Sequence, residues 1–78
     1  MFRIDLSTFD SYAIEGRVIV ARSGRRRSRY VLPGGARIAL QSDHANDRGV
    51  LEIGGFKTMT VSVSGPLDEI TTLFEFLS

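Results

Sequence analysis

The residues best suited to bind a partner are arginines, and they are concentrated in one stretch of this 78-residue chain. From Arg17 to Arg37 there are seven arginines and no acidic residue. A guanidinium group offers a planar set of N–H donors that matches phosphate or carboxylate oxygens, and a nearby tyrosine ring could stack on a base. The stretch therefore predicts an anion-binding hairpin. Its candidate residues are Arg22, Arg25, Arg26, Arg27, Arg29, Tyr30 and Arg37.

Catalytic chemistry has little support in the same chain. There is no cysteine, and the single histidine, His44, lies in a polar segment between Asp43 and Asp47. A serine nucleophile would need His44 as its base and a carboxylate to orient it, but nothing in this segment implies a concave pocket. The adjacent acids Asp68 and Glu69 are explained by the start of a helix, where negative charge is stabilising. We expect a protein that is not an enzyme.

A metal site is not expected either. An EF-hand loop that began at Asp43 would need an oxygen ligand at its third position, glycine at its sixth and glutamate at its twelfth. Ala45, Arg48 and Gly54 stand there instead. A turn closed by local hydrogen bonds explains the segment better, and we predict neither a metal nor a cofactor.

Arg25 and Arg29 satisfy the RxxxR motif of PilZ-type cyclic-dinucleotide receptors. Those receptors carry a second motif, D/NxSxxG, on the same barrel. Counted back from Gly49, its first position holds His44 and its serine position holds Asn46. The second motif is therefore missing, and the comparison carries no further expectation.

The charge distribution leaves three interpretations of the arginines open. Outside the arginine stretch, three basic residues stand against nine acidic ones, although the net charge of the whole chain is only +1. The sequence pI of about 8.3 is below the value of about 9 that is common in dedicated nucleic-acid-binding domains. The arginines could contact an acidic protein surface, contact nucleic acid directly, or form a solvated turn that keeps edge strands apart.

The elements that position these arginines are predicted to be strands. Apolar and polar residues alternate in most segments, as they do in strands with one buried face. The alternation marks six segments, at 2–6, 13–22, 30–32, 38–40, 51–53 and 57–64. Turn residues separate them at Ser23-Gly24, Pro33-Gly34-Gly35 and Gly54-Gly55. Because these connections are short, we expect antiparallel neighbours.

After Pro66 the apolar spacing changes to that of a helix. The apolar stripe consists of Leu67, Ile70, Leu73, Phe74 and Leu77, and we expect Phe76 to close the core beside it. A helix of about 12 residues is ~18 Å long and can cover two or three strands. The rest of the sheet must therefore curl or find a partner surface. We predict an α+β fold in which a strongly curled antiparallel sheet of five or six strands, a half-barrel, carries one C-terminal α-helix; residues 1–78 form a single domain.

Location and function complete these expectations. No signal peptide or membrane-spanning run is recognisable, which favours a cytoplasmic protein with no membrane partner. We expect a stoichiometric inhibitor or adaptor that docks its arginine-rich hairpin on an acidic protein surface or a nucleoprotein complex, with a homodimer as a further option. Phage-encoded anti-CRISPR proteins are similar in size and architecture, but no shared motif is recognisable in the chain. The alternative is a small regulator that binds DNA or RNA directly through the same arginines.

Overall fold

The computed structural model describes residues 2–33, 37–54 and 60–78. These residues form strands, one short 3₁₀ turn and one helix. In chain order they are β1 (Phe2–Asp5), the 3₁₀ turn (Leu6–Thr8), β2 (Ser11–Glu15), β3 (Val18–Ser23), β4 (Arg26–Val31), β5 (Arg37–Asp43), β6 (Arg48–Gly54), β7 (Thr60–Pro66) and α1 (Leu67–Leu77). The predicted α+β class with a C-terminal helix is confirmed.

The strands form two sheets rather than one. The larger sheet has the order β1-β7-β6-β5, and the smaller has the order β2-β3-β4. The predicted half-barrel is wrong, because neither sheet is strongly curled or closed. The apolar side chains that one helix cannot cover are buried in another way. The helix α1 packs on β5, β6 and β7, and the smaller sheet contributes its inner face to the same core.

One hydrophobic core joins the two sheets and the helix. Both sheets, the 3₁₀ turn and α1 each contribute at least one fully buried side chain to this core. The largest of these are Leu6, Ile19, Leu51, Ile53, Val63 and Ile70. Apolar burial of this kind stabilises by about 25 cal/mol per Å² and holds the sheets in place without disulfides.

The predicted strand at 13–22 is in fact two strands joined by a tight turn. Glu15 pairs with Val18 across a two-residue loop, and Gly16 in that loop has a φ of 61°. Glycine adopts this conformation without strain, as two-residue hairpins require. Because of this turn, the inward-pointing residues are even-numbered in β2 and odd-numbered in β3. Ile14 and Ile19 therefore point to the core, whereas Val20 points outward.

Two strand pairings test the expectation of antiparallel neighbours. β6 and β7 are antiparallel as expected, but β1 lies parallel to β7, with Phe2 opposite Val61. Short connections constrain only strands that follow each other in sequence. The first and last strands are separated by nearly the whole chain, which allows a parallel pair.

Some predicted turn and strand residues lie outside the described residues. They are Gly34 and Gly35 of the turn after β4, Gly55 of the predicted hairpin, and Lys57, Thr58 and Met59 of the last predicted strand.

The C-terminal helix follows the predicted stripe, with one exception. Pro66 is its N-terminal cap, Asp68 and Glu69 occupy the first turn, and Ile70 is buried. Phe76 is 61% exposed, so the expectation that it closes the core is wrong. It lies one residue before the end of α1, off the stripe that faces the sheet. No helix within the described ranges is long and apolar enough to cross a membrane.

Candidate functional site

Three of the predicted arginines lie together on the outer face of the smaller sheet. The β3–β4 hairpin places Arg22 directly opposite Arg27. Arg29 follows two residues along β4 and therefore points to the same face as Arg27, opposite Val20. All three side chains are exposed.

Two further arginines extend the positive charge to the tip of the hairpin. Gly24 and Arg25 form the two-residue turn, in which Gly24 has a φ of 61° and donates its N–H to Asp10 Oδ2 at 2.7 Å. Arg26 is the first residue of β4, opposite Ser23, and its place in the strand directs it away from the face of Arg27. Arg25 and Arg26 are both exposed.

None of these arginines is neutralised by a carboxylate within the part of the chain that the structure describes. The one ion pair there joins Arg48 Nη2 and Asp5 Oδ1 at 3.3 Å. The pKa of Asp5 is lowered mainly by the hydrogen bond from the Ser7 hydroxyl, and Arg48 adds to the effect. Within the described residues, the hairpin arginines therefore form no ion pair, although the Asp10 carboxylate lies at the hairpin tip.

An apolar patch borders the arginines on the same outer face. Val18 lies opposite Val31, and Val20 lies opposite both Ala13 and Arg29. Val31 is 66% exposed, the largest value among the exposed large apolar residues found in the described ranges. We name this surface the arginine–valine face. It consists of Arg22, Arg27, Arg29, Val18, Val20 and Val31.

The sequence prediction missed the valine half of this face. A single alternating strand over 13–22 would place Val18 and Val20 on the same side as Ile14, which points to the core. The signal that could have corrected this was Gly16, since a glycine between two alternating runs marks a two-residue turn.

Tyr30 does not belong to this face. Its position on β4 directs it inward, where it is half-buried. Its ring lies 5.8 Å from that of Phe2 and 6.2 Å from that of Phe9, measured between centroids. The ring is thus part of the core packing, and its predicted role in stacking on a base has no support.

Arg37 is also separate from the other predicted arginines. It is the first residue of β5, at the edge of the larger sheet, and it lies opposite Gly54. It is exposed. The structure thus does not bring it into the arginine–valine face.

A shallow cleft lies between β2 and α1 and encloses about 420 Å³. The Tyr12 hydroxyl donates to Glu69 Oε2 at 2.5 Å, and this bond raises the pKa of Tyr12 to about 12. The Asp68 carboxylate accepts the N–H of Glu69 at 2.9 Å. Both carboxylates of the cleft thus already have donors within the chain, and the exposed ring of Phe76 forms part of its wall.

The polar turn between β5 and β6 is organised by local hydrogen bonds. Asp43 accepts two of them, at 3.3 Å from the Asn46 N–H and at 2.8 Å from its side-chain amide. The side-chain hydrogen bond is the main cause of a lowered pKa of Asp43. Within the described ranges, no three acidic or histidine side chains are grouped so that they could hold a metal ion.

Comparisons with protein-family models, with curated proteins and with solved structures found no match to this chain.

Proposed function

We propose that this protein is a non-enzymatic binding protein, a small stoichiometric inhibitor or adaptor, and that its arginine–valine face docks on an acidic surface of a protein partner. The observation that carries the proposal is the arrangement of that face. Arg22 and Arg27 lie opposite each other without an ion-pairing carboxylate among the described residues, on the same face as the half-buried Val18 and Val20 and the exposed Val31.

Both the arginines and the valines of the arginine–valine face lower the stability of the isolated protein. Like charges directly opposite each other in a sheet are destabilising by roughly 0.2–1 kcal/mol. An exposed Val31 side chain leaves in water the apolar area that burial would stabilise. A partner with carboxylates over the arginines and apolar groups over the valines would relieve both costs at once.

The valines favour a protein over nucleic acid as this partner. A phosphate backbone could satisfy the guanidinium groups but offers no apolar surface for Val18 and Val31. Tyr30 is packed against Phe2 and Phe9, so no aromatic side chain stands ready among the arginines for base stacking. An acidic protein, including the protein component of a nucleoprotein complex, fits the whole face.

Direct nucleic-acid binding is the second candidate, because Arg25 and Arg26 continue the charge around the hairpin tip. Five arginines that contact phosphates would give a slope of about −4.5 in log K against log salt on B-DNA. Absence of salt-dependent binding to duplex and single-stranded oligonucleotides at about 50 mM salt would remove this candidate.

A matched pair of charge reversals tests the proposal. Arg29→Glu changes the centre of the arginine–valine face, and Arg3→Glu makes the same change at an exposed position of β1 in the other sheet. The partner is first captured from host lysate with the wild-type protein and purified. Its affinity is then measured for wild type, Arg29→Glu and Arg3→Glu.

We expect Arg29→Glu to weaken binding of the partner by at least about tenfold, since arginine is enriched among the central interface residues whose truncation costs about 2 kcal/mol or more. Arg3→Glu should leave the affinity within about twofold, as expected for a charge outside the interface. Equal affinities for wild type and Arg29→Glu would refute docking through this face.

A further inference from the structure

The outer edge of β5 is an unpaired strand edge with an unusual pattern of charge. Within the described residues, β5 hydrogen-bonds only to β6, so its other side presents unpaired backbone N–H and C=O groups. The strand begins with Arg37 and ends with Asp43, and the five residues between them are uncharged. Natural edge strands are usually protected by central charges, proline or a bulge, because an unprotected edge pairs with another strand.

The other described strand edges do not share this pattern. β4 carries Arg27 and Arg29 on one face, so a second copy paired with it would bring arginines together. β1 has four residues and runs directly into the 3₁₀ turn. β2 has five residues and lies beside α1, with the Tyr12 hydroxyl bonded to Glu69. β5 is thus the edge best suited to accept a strand.

A second copy of β5 complements this edge when it is placed antiparallel with Leu40 opposite Leu40. This register sets Arg37 opposite Asp43 at both ends and keeps the inner faces of the two larger sheets on the same side. A shift by two residues in either direction leaves one charge opposite an uncharged residue of β5 and the other beyond the end of the partner strand. Charge complementarity therefore selects one register and one orientation.

Side-chain exposure agrees with this register. Ile38 and Leu40 point to the core side of β5 and are only half-buried in the isolated chain. In the proposed pair, Leu40 packs against its symmetry mate. Arg37 has no side chain opposite it within its own sheet, because its partner on β6 is Gly54. The Arg48 guanidinium lies opposite Asp43 along the strands but contacts Asp5 instead.

We propose that the protein forms a two-fold symmetric homodimer through antiparallel pairing of β5 with β5 of a second copy, which makes a continuous sheet across the interface. Arg37 pairs with Asp43 of the other protomer at each end. The interface is small and polar at its ends, so the dimer is concentration-dependent and weakened by salt. This surface is separate from the arginine–valine face, and the dimer does not depend on the proposed function.

Two charge reversals and their mixture test the register. Sedimentation velocity is measured at matched concentrations for wild type, Arg37→Asp, Asp43→Arg and an equal mixture of the two variants. Each variant alone places like charges opposite each other at both ends, so we expect monomers. The mixture restores an opposite-charge pair at each end, so we expect a heterodimer at the concentrations at which the wild-type protein dimerises. Arg3→Asp, which changes charge on β1, should dimerise as wild type does.

A covalent trap tests the same register without changing charge. The chain has no cysteine, so the double variant Ala39→Cys/Gln41→Cys forms disulfides only through the introduced thiols. These two positions lie opposite each other in the proposed pair, within disulfide range. We expect a disulfide-linked dimer on mild oxidation, and none for Ser62→Cys, which lies on the central strand β7.

Three results would overturn the proposal. They are a wild-type protein that stays monomeric at all concentrations, single variants that dimerise as wild type does, and a mixture that stays monomeric together with a double-cysteine variant that shows no cross-link. Recovery of the dimer in the mixture, or the specific cross-link, supports it.

Discussion

Arg22 and Arg27 lie directly opposite each other on β3 and β4, and both point to the outer face of the smaller sheet. No carboxylate of the described residues lies within ion-pairing distance of either. The fold itself does not need this pair, since the face is exposed and the core lies on the other side of the sheet. The pair therefore carries a cost to the stability of the isolated protein that the packing of the core does not require.

Replacement of one of these arginines should stabilise the protein. Arg27→Thr removes the like-charge contact and introduces a residue that favours strands, so we expect the free energy of unfolding to rise by about 0.5 kcal/mol. Arg26→Thr is the matched control, because Arg26 lies opposite Ser23 and has no like charge there. Urea unfolding of the two variants at low salt measures the difference. A stability of Arg27→Thr that equals or falls below that of Arg26→Thr would contradict the repulsion.

The exposed valine should matter for binding but not for folding. Val31→Thr keeps the shape and the strand preference of the side chain, and at 66% exposure it should change stability by less than about 0.5 kcal/mol. It should nevertheless weaken binding of the partner several-fold, because a hydroxyl replaces an apolar contact at the interface. Val50→Thr, on the outer face of the larger sheet, should leave binding unchanged. Equal binding by both variants would exclude the valine half from the interface.

The bond between Tyr12 and Glu69 should contribute to stability. Tyr12→Phe removes the donor from the Glu69 carboxylate, so we expect a loss of about 1 kcal/mol, at the lower end for a bond to a charged group because both residues are partly exposed. Tyr30→Phe is the matched control, since no hydrogen bond of the Tyr30 hydroxyl occurs among the described residues. Thermal unfolding of the two variants should differ accordingly, and equal losses would show that the bond is not formed.

The same bond predicts a dependence on alkaline pH. The pKa of Tyr12 is raised to about 12 in the folded protein from its usual value of 10.0. Folding therefore favours the protonated hydroxyl, and its contribution is fully present below pH 10.0 and is lost as pH rises toward about 12. The stability difference between wild type and Tyr12→Phe should shrink over that interval, as measured by denaturant unfolding at each pH. A difference that stays constant up to pH 12 would contradict the assignment.

Two glycines of the larger sheet should respond oppositely to alanine. A Cβ at Gly65 would lie 2.9 Å from Leu6 Cδ1, in the fully buried core. We expect Gly65→Ala to destabilise the protein by about 1–3 kcal/mol, as overpacking does. A Cβ at Gly54 would lie 3.5 Å from Arg37 Cβ, an ordinary contact, so Gly54→Ala should be neutral or stabilise by up to about 1 kcal/mol. Calorimetry of both variants tests whether Leu6 is packed this closely.

Local patterns predicted the elements better than their arrangement. The stripe that contains Ile70 and Leu73 predicted α1, and Ser23-Gly24 predicted the turn of the arginine hairpin, because both signals depend on neighbouring residues. The split into two sheets and the parallel pairing of β1 with β7 depend on contacts far apart in sequence. No local spacing encodes those contacts.

The candidate site was predicted in part for the same reason. The grouping of Arg22, Arg27 and Arg29 follows from the hairpin and was accessible from the sequence. The separation of Arg37 required knowledge of the second sheet, and the inward direction of Tyr30 required the strand register. The turn at Gly16 was not predicted, so Val18 and Val20 were not recognised as part of the outer face.

The most direct test of docking through the arginine–valine face is a titration of isotope-labelled protein with its purified partner, followed by amide chemical shifts. We predict that the largest changes lie on β3 and β4, around Val20, Arg29 and Val31, and that β7 residues such as Ser62 on the other outer face stay unchanged. Changes confined to the larger sheet or to the cleft at Tyr12, with β3 and β4 unaffected, would contradict it.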